Sequence, residues 1–181
     1  MNTAVVYASH YGSTEKYAQW IARELKADLY RADQLKPGGL EKYDAVIFGG
    51  GLYAGQLNGI KALKKNYPRL RDKRLFLFTV GFGNPKNPDH VRNVEESLRR
   101  QLPPEIYGQL RVFHFRGAML YSKMRPLHRF MMRMMVSMLR RQPADKLSED
   151  NRQTLEAYGK NLDLTDQASI EPLLRAVRQE A

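Results

Sequence analysis

Between Ser9 and Thr14 the chain reads Ser-His-Tyr-Gly-Ser-Thr, which gathers three hydroxyls, a glycine and a run of backbone amides in one short segment. The residues Thr3 to Ser9 read as a β-strand. Behind the segment, Tyr17, Ala18, Ile21 and Leu25 recur at helical spacing and predict a helix from about Thr14 to Lys26. A strand feeding a helix N-terminus exposes unpaired N–H groups at the positive end of the helix dipole. Ser9, His10, Tyr11, Gly12, Ser13 and Thr14 are therefore expected to hold an anion, a phosphate above all, through the first-turn amides and the Ser9, Ser13 and Thr14 hydroxyls. No lysine is needed to neutralise it, and the absence of Gly-Lys-Ser/Thr argues against a nucleotide triphosphatase. The plainer reading of the same residues is a strand-to-helix turn with a Ser or Thr cap.

Other chemistries are poorly served. The chain has no cysteine, so disulfides, thiol nucleophiles, iron–sulfur clusters and thiolate zinc sites are excluded. A redox function would need a bound cofactor. His10, His90, His114 and His128 are scattered, with no partner at metal-ligand spacing, and no metal site is expected. Glu95-Glu96 reads as a solvated helix face, and no side chain stands out as catalytic. Gly49-Gly50-Gly51-Leu52-Tyr53-Ala54, with Asp72 further on, satisfies the dinucleotide pattern. That fingerprint belongs to the first βαβ unit, however, and here a complete unit precedes it.

The elements that must position the segment alternate between short β-rich runs and helical patterns, the arrangement of a parallel sheet covered on both faces. Strands are expected at Asp28 to Arg31, Tyr43 to Gly49, Leu75 to Val80 and Leu110 to Arg116. Gly50, Gly51 and Gly55 break the third strand's pattern before a helix around Ile60 to Asn66. Further helices are expected near Asp89 to Gln101, Ser148 to Leu162 and Ile170 to Arg178. With 181 residues, 43% of them hydrophobic, the chain is expected to form one domain spanning residues 1–181. The fold class is α/β, a doubly wound five-stranded parallel sheet of order 2-1-3-4-5, with its ligand crevice beyond the ends of strands 1, 3 and 4.

Ser9, Gly12 and Thr14 match the form Ser/Thr-x-x-Gly-x-Thr directly after strand 1, and in this the chain resembles the flavodoxin family. The resemblance implies one non-covalent FMN, with two further loops enclosing its ring. Their counterparts are Gly51, Leu52, Tyr53 and Ala54 after strand 3, and Thr79, Val80, Gly81, Phe82 and Gly83 after strand 4. Glycine lets backbone approach a flat ring, and Tyr53 or Phe82 offers a stacking face; each also reads as a packed loop aromatic.

The formal net charge is +11, and much of it is local. Between Glu105 and Asp145 no residue is acidic, while Arg111, Arg116, Lys123, Arg125, Arg129, Arg133, Arg140 and Arg141 fall inside. Seven of the eight methionines lie there too, from Met119 to Met138. From Pro126 a helix of about four turns, roughly 22 Å long, would line Arg129, Arg133, Ser137 and Arg140 on one narrow face and leave the rest apolar. It is too short and too charged to span a bilayer but suited to lie on one. Three uses compete: a core helix or dimer seam, a membrane or quinone contact through 119–141, and a porphyrin-like anionic substrate met by Lys123, Arg125, Arg129 and Arg133. Nucleic acid ranks last, since the charge is interleaved with methionine rather than with exposed aromatics.

Within flavodoxin-like proteins, the menaquinone-dependent protoporphyrinogen dehydrogenases carry a basic insertion after strand 5. Arg116-Gly117-Ala118-Met119-Leu120-Tyr121 and Arg129-Phe130-Met131, in an insertion of about residues 119–147, resemble it. That likeness implies oxidation of protoporphyrinogen IX with FMN passing electrons to a quinone. The alternatives are an FMN electron-transfer protein serving a redox partner, and an FMN-free flavodoxin-shaped interaction subunit. Electron-carrier flavodoxins are typically acidic, a charge this chain reverses. The first residues, Met1 to Tyr7, lack the pattern of a signal peptide, so the expected compartment is the cytoplasm, with peripheral contact at the inner face of the membrane.

Overall fold

The computed structural model describes residues 1–53 and 55–179. In chain order the elements are β1 (Thr3–Ala8), α1 (Ser13–Leu25), β2 (Asp28–Arg31), β3 (Ala45–Tyr53), β4 (Gln56–Leu57), α2 (Ile60–Asn66), β5 (Arg74–Gly81) and α3 (Pro88–Gln101). They continue as α4 (Pro104–Gln109), β6 (Leu110–Arg116), β7 (Ala118–Leu120), α5 (Pro126–Leu139), α6 (Glu149–Ala157), β8 (Asn161–Asp163) and α7 (Glu171–Gln179). The main sheet runs β2-β1-β3-β5-β6, all parallel, with β4 turned back antiparallel on β3. This is the expected 2-1-3-4-5 order of a doubly wound α/β fold.

Alternation along the buried strands divides the core in two. Ala4 and Val6, Val46 and Phe48, and Leu75 and Leu77 face α2 and α3. Val5 and Tyr7, Ala45 and Ile47, and Phe76, Phe78 and Val80 face α1 and α7, where Tyr17, Ile21, Leu173 and Val177 complete the packing. Each fully buried Leu, Ile or Phe contributes roughly 1.5–3 kcal/mol relative to exposure, so these paired layers hold the sheet that carries the loops.

β3 does not end at Gly49, as the glycines suggest, but continues to Tyr53. Its glycines make room for neighbours rather than a turn. A Cβ at Gly49 would lie 2.0 Å from Phe78 Cζ, and one at Gly50 would lie 2.3 Å from the Asn58 carbonyl oxygen. The helix expected over Ser148 to Leu162 stops at Ala157, because Gly159 takes φ 80° and the chain leaves as β8. β8 pairs antiparallel with β7, a small ribbon with no counterpart in the sequence reading.

Candidate functional site

Ala8 pairs with Gly50 and Gly51 with Val80, so the carboxyl ends of β1, β3 and β5 stand side by side. The three expected loops thus meet at one edge. In the first, Gly12 adopts φ 97° at the start of α1, and no side chain caps that helix, so its first-turn amides are open to an anion. Ser9 Oγ accepts from the Gly12 N–H at 3.0 Å, and Ser13 Oγ accepts from the Ala118 N–H at 3.0 Å. As acceptors in these bonds, both hydroxyls keep their own protons for a ligand. Glu15, the acidic residue of the first turn, accepts from the Tyr7 hydroxyl at 2.7 Å. Burial and then Glu15 push the Tyr7 phenol up to about 12.

The second loop folds onto the first. A Cβ at Gly51 would stand 2.9 Å from Tyr53 Cε2 and 3.3 Å from Thr14 Oγ1, so the absence of a side chain there lets Tyr53 close toward the helix N-terminus. Burial pushes the Tyr53 phenol up to about 12, with the His10 backbone N–H acting in the opposite direction. The phenol is neutral at physiological pH. Leu52 packs on the core, with Cδ1 3.2 Å from where a Gly81 Cβ would be. Ala54 lies outside the described residues.

The third loop offers backbone more than side chains. Thr79 is buried and bonded to His114 Nδ1 at 2.8 Å, and the Val80 side chain belongs to the α1 core. Neither side chain reaches the edge; only their backbone is left to meet a ligand. The Gly81 carbonyl accepts from the Gly117 N–H at 2.7 Å, and the Phe82 carbonyl accepts from Arg116 at 3.5 Å. Gly83 lies against His90, where a Cβ would come within 2.1 Å of the ring.

The basic segment comes to the same edge. Lys123, Arg125, Arg129 and Arg133 are all exposed. Arg129 is engaged locally: it donates to the carbonyls of Tyr121 and Ser122 at 3.2 and 2.6 Å and lies over the Tyr121 ring. The Arg125 N–H donates to the Tyr11 hydroxyl at 3.2 Å, which sets Arg125 beside the phosphate loop, and burial, then Arg125 and His128, lower the His10 pKa. Of the uses open to α5, packing on the core accounts for one face of the helix only. Val136 and Leu139 are buried, but Leu127, Phe130 and Met138 are 65%, 58% and 63% exposed, with Met131, Met134 and Met135 beside them.

His128 was absent from the sequence-derived site, yet it joins the loops. Its ring stacks on Tyr53 (centroids 5.7 Å, planes 24° apart) and lies edge-on to His10 and Tyr11. The signal was present: His128, Met132, Val136 and Leu139 recur at helical spacing, and these are the less exposed positions of α5.

Open first-turn amides, donor hydroxyls and a glycine-lined approach to flat rings fit a ligand with one phosphate and a planar heterocycle. Residues 4–146 match the Flavodoxin domain family. An uncharacterized protein of Methanocaldococcus jannaschii is 34% identical over 126 residues, covering 67% of this chain and 79% of that protein. Protoporphyrinogen IX dehydrogenase (quinone) of Escherichia coli K12 is 23% identical over 145 residues, covering 76% and 80%. Among solved structures, a WrbA-like flavodoxin from Agrobacterium tumefaciens shares 26% identity with a TM-score of 0.42, covering 53% of this chain and 72% of that one. A flavoprotein from Lactobacillus acidophilus NCFM, solved in complex with FMN, shares 18% with a TM-score of 0.42, covering 64% and 91%. The chain belongs to the flavodoxin family, and it is an FMN-binding protein of the oxidoreductase and electron-transfer class.

Proposed function

We propose that the chain is a quinone-linked FMN dehydrogenase acting on protoporphyrinogen IX at an anionic membrane surface. The observation that carries this reading is α5, whose first turn stands against the phosphate loop while its apolar ridge is exposed between arginines. FMN, when bound, would supply the redox chemistry that links oxidation of the substrate to reduction of the quinone. Ser9 to Thr14 would hold its phosphate, and Gly51 to Tyr53 with the backbone of Gly81 to Gly83 would meet its ring. Arg125 and Lys123 offer cations to the substrate's propionates, where a guanidinium pairs well with a carboxylate. Arg133 and the methionine ridge hold the chain at the lipid surface from which the quinone is collected. Likeness to the Escherichia coli dehydrogenase supports the substrate class.

The deciding experiment is anaerobic incubation of FMN-loaded protein with protoporphyrinogen IX, with and without a menaquinone analogue. Porphyrin fluorescence is expected to rise above the uncatalysed background only with the quinone present. A rise no faster than background overturns the assignment.

A further inference from the structure

We infer that the insertion helix contributes a residue to the flavin site itself: His128 contacts the FMN ring, and Tyr11 positions it. This goes beyond the three family loops and holds whatever the substrate is, resting only on FMN as the cofactor. His128 lies in the first turn of α5, among exposed neighbours Leu127, Arg129 and Phe130, yet it is itself half-buried. Met132, Val136 and Leu139 continue its stripe along the protein-facing side of the helix. At the amino end that stripe reaches the carboxyl edge of the sheet.

The Tyr11 hydroxyl lies 2.5 Å from His128 Nδ1 and accepts from the Arg125 N–H at 3.2 Å. One phenol oxygen in the phosphate loop therefore fixes both the start of α5 and the direction of the imidazole. The bond engages the Nδ1 edge of the imidazole. The ring faces Tyr53 at 24° with centroids 5.7 Å apart, and His10 meets both rings edge-on, at 5.0 Å from Tyr53 and 6.1 Å from His128. Flat faces gathered beside an anion-ready helix N-terminus suit a planar ring bearing a phosphate.

The test uses the full chain, titrated with FMN and followed by flavin fluorescence and by the visible absorption of the bound flavin. Melting of each FMN-free variant is measured in parallel. His128→Ala is expected to weaken FMN binding about five- to tenfold and to shift the bound-flavin spectrum, the range that loss of one aromatic contact gives. His128→Phe, which keeps a flat ring without Nδ1, and Tyr11→Phe, which keeps the ring without the hydroxyl, are each expected to cost about threefold. Met134→Ala, on the outer face of α5, should bind as the wild type does. The inference is overturned if His128→Ala binds FMN with unchanged affinity and spectrum, or if the losses only track lowered melting temperature. Failure of the wild type to bind FMN overturns it together with the cofactor. Tight FMN binding without porphyrinogen oxidation overturns only the proposed substrate.

Discussion

His90 Nδ1 and a carboxylate oxygen of Asp150 stand 2.8 Å apart, joining the first turn of α3 to the first turn of α6. The other Asp150 oxygen accepts from the Asn84 N–H at 3.3 Å, and Arg116 bonds Gln153 at 2.9 Å while reaching the Phe82 carbonyl. Helix α6 thus clamps the loop after β5 from outside the sheet.

Asp150→Ala leaves the His90 nitrogen and the Asn84 N–H without a partner, in surroundings where both side chains of the pair are mostly buried. The expected loss of stability is about 1–2 kcal/mol, read as a lower urea midpoint at unchanged slope. The double variant with His90→Ala should lose less than the sum of the two singles. Strict additivity would show that His90 and Asp150 are not coupled.

His114 gives the fold a pH dependence of stated direction. Nδ1 is bonded to Thr79 Oγ1, and Nε2 is buried with no partner among the described residues. Burial, aided by His90, lowers its pKa from 6.5 to about 4. Between those values the unfolded chain holds the proton and the folded chain does not. The contribution is complete above the unfolded value and is lost as pH falls toward the folded one, by at most about 3 kcal/mol. Urea unfolding of the wild type at pH about 7 and about 4.5 should show this loss, and His114→Gln should reduce it. A variant as pH-sensitive as the wild type places the loss on other groups.

What the sequence makes legible is local. The Val, Ile and Phe runs of β1, β3 and β5 announce buried parallel strands, and Ser9 to Thr14 announces an anion-ready helix start, because each signal lies within a few residues. Tyr11 and His128 are 117 positions apart, so no spacing rule joins them; only the return of α5 across the sheet edge does. The glycines of β3 mislead for a related reason. Locally they read as breakers, but Gly49 answers to Phe78 on the neighbouring strand. Thr79 likewise looks like a loop hydroxyl until β6 places His114 opposite it.

Gly49 can be tested directly. A methyl group there meets the Phe78 ring at 2.0 Å, inside a core where Phe78 is fully buried. Gly49→Ala is expected to destabilise by about 1–3 kcal/mol, and Phe78→Leu in the same chain should restore part of the loss. Gly108, inside α4 with nothing within 4 Å of its Cβ position, is the contrast. Gly108→Ala should stabilise by roughly 0.5–1 kcal/mol, since it raises helix propensity without a clash. Equal melting temperatures for the two alanine variants would refute the packing account of the β3 glycines.

The outer face of α5 is apolar and edged with cations. Leu127, Phe130, Met131, Met134 and Met138 form an exposed ridge at helical spacing, flanked by Arg133, Arg140 and Lys123, with no acidic residue between Glu105 and Asp145. Among the described residues, no helix is long and apolar enough to cross a membrane. Apolar side chains between cations suit the headgroup region of an anionic leaflet. Sedimentation with vesicles should therefore require anionic phospholipid and weaken as salt is raised. Arg133→Gln should lower vesicle affinity roughly fivefold, the effect of about one charge near the surface. Met134→Glu with Met138→Glu should abolish association by placing carboxylates in the apolar ridge. FMN affinity should stay unchanged in all of these variants, because none of the altered side chains belongs to the ring cluster of His10, Tyr11, Tyr53 and His128. If the wild type ignores anionic vesicles and forms a dimer that Met134→Glu dissociates, the ridge is a subunit seam and the lipid reading falls. Vesicle binding that survives the double glutamate variant would place the lipid contact on another face.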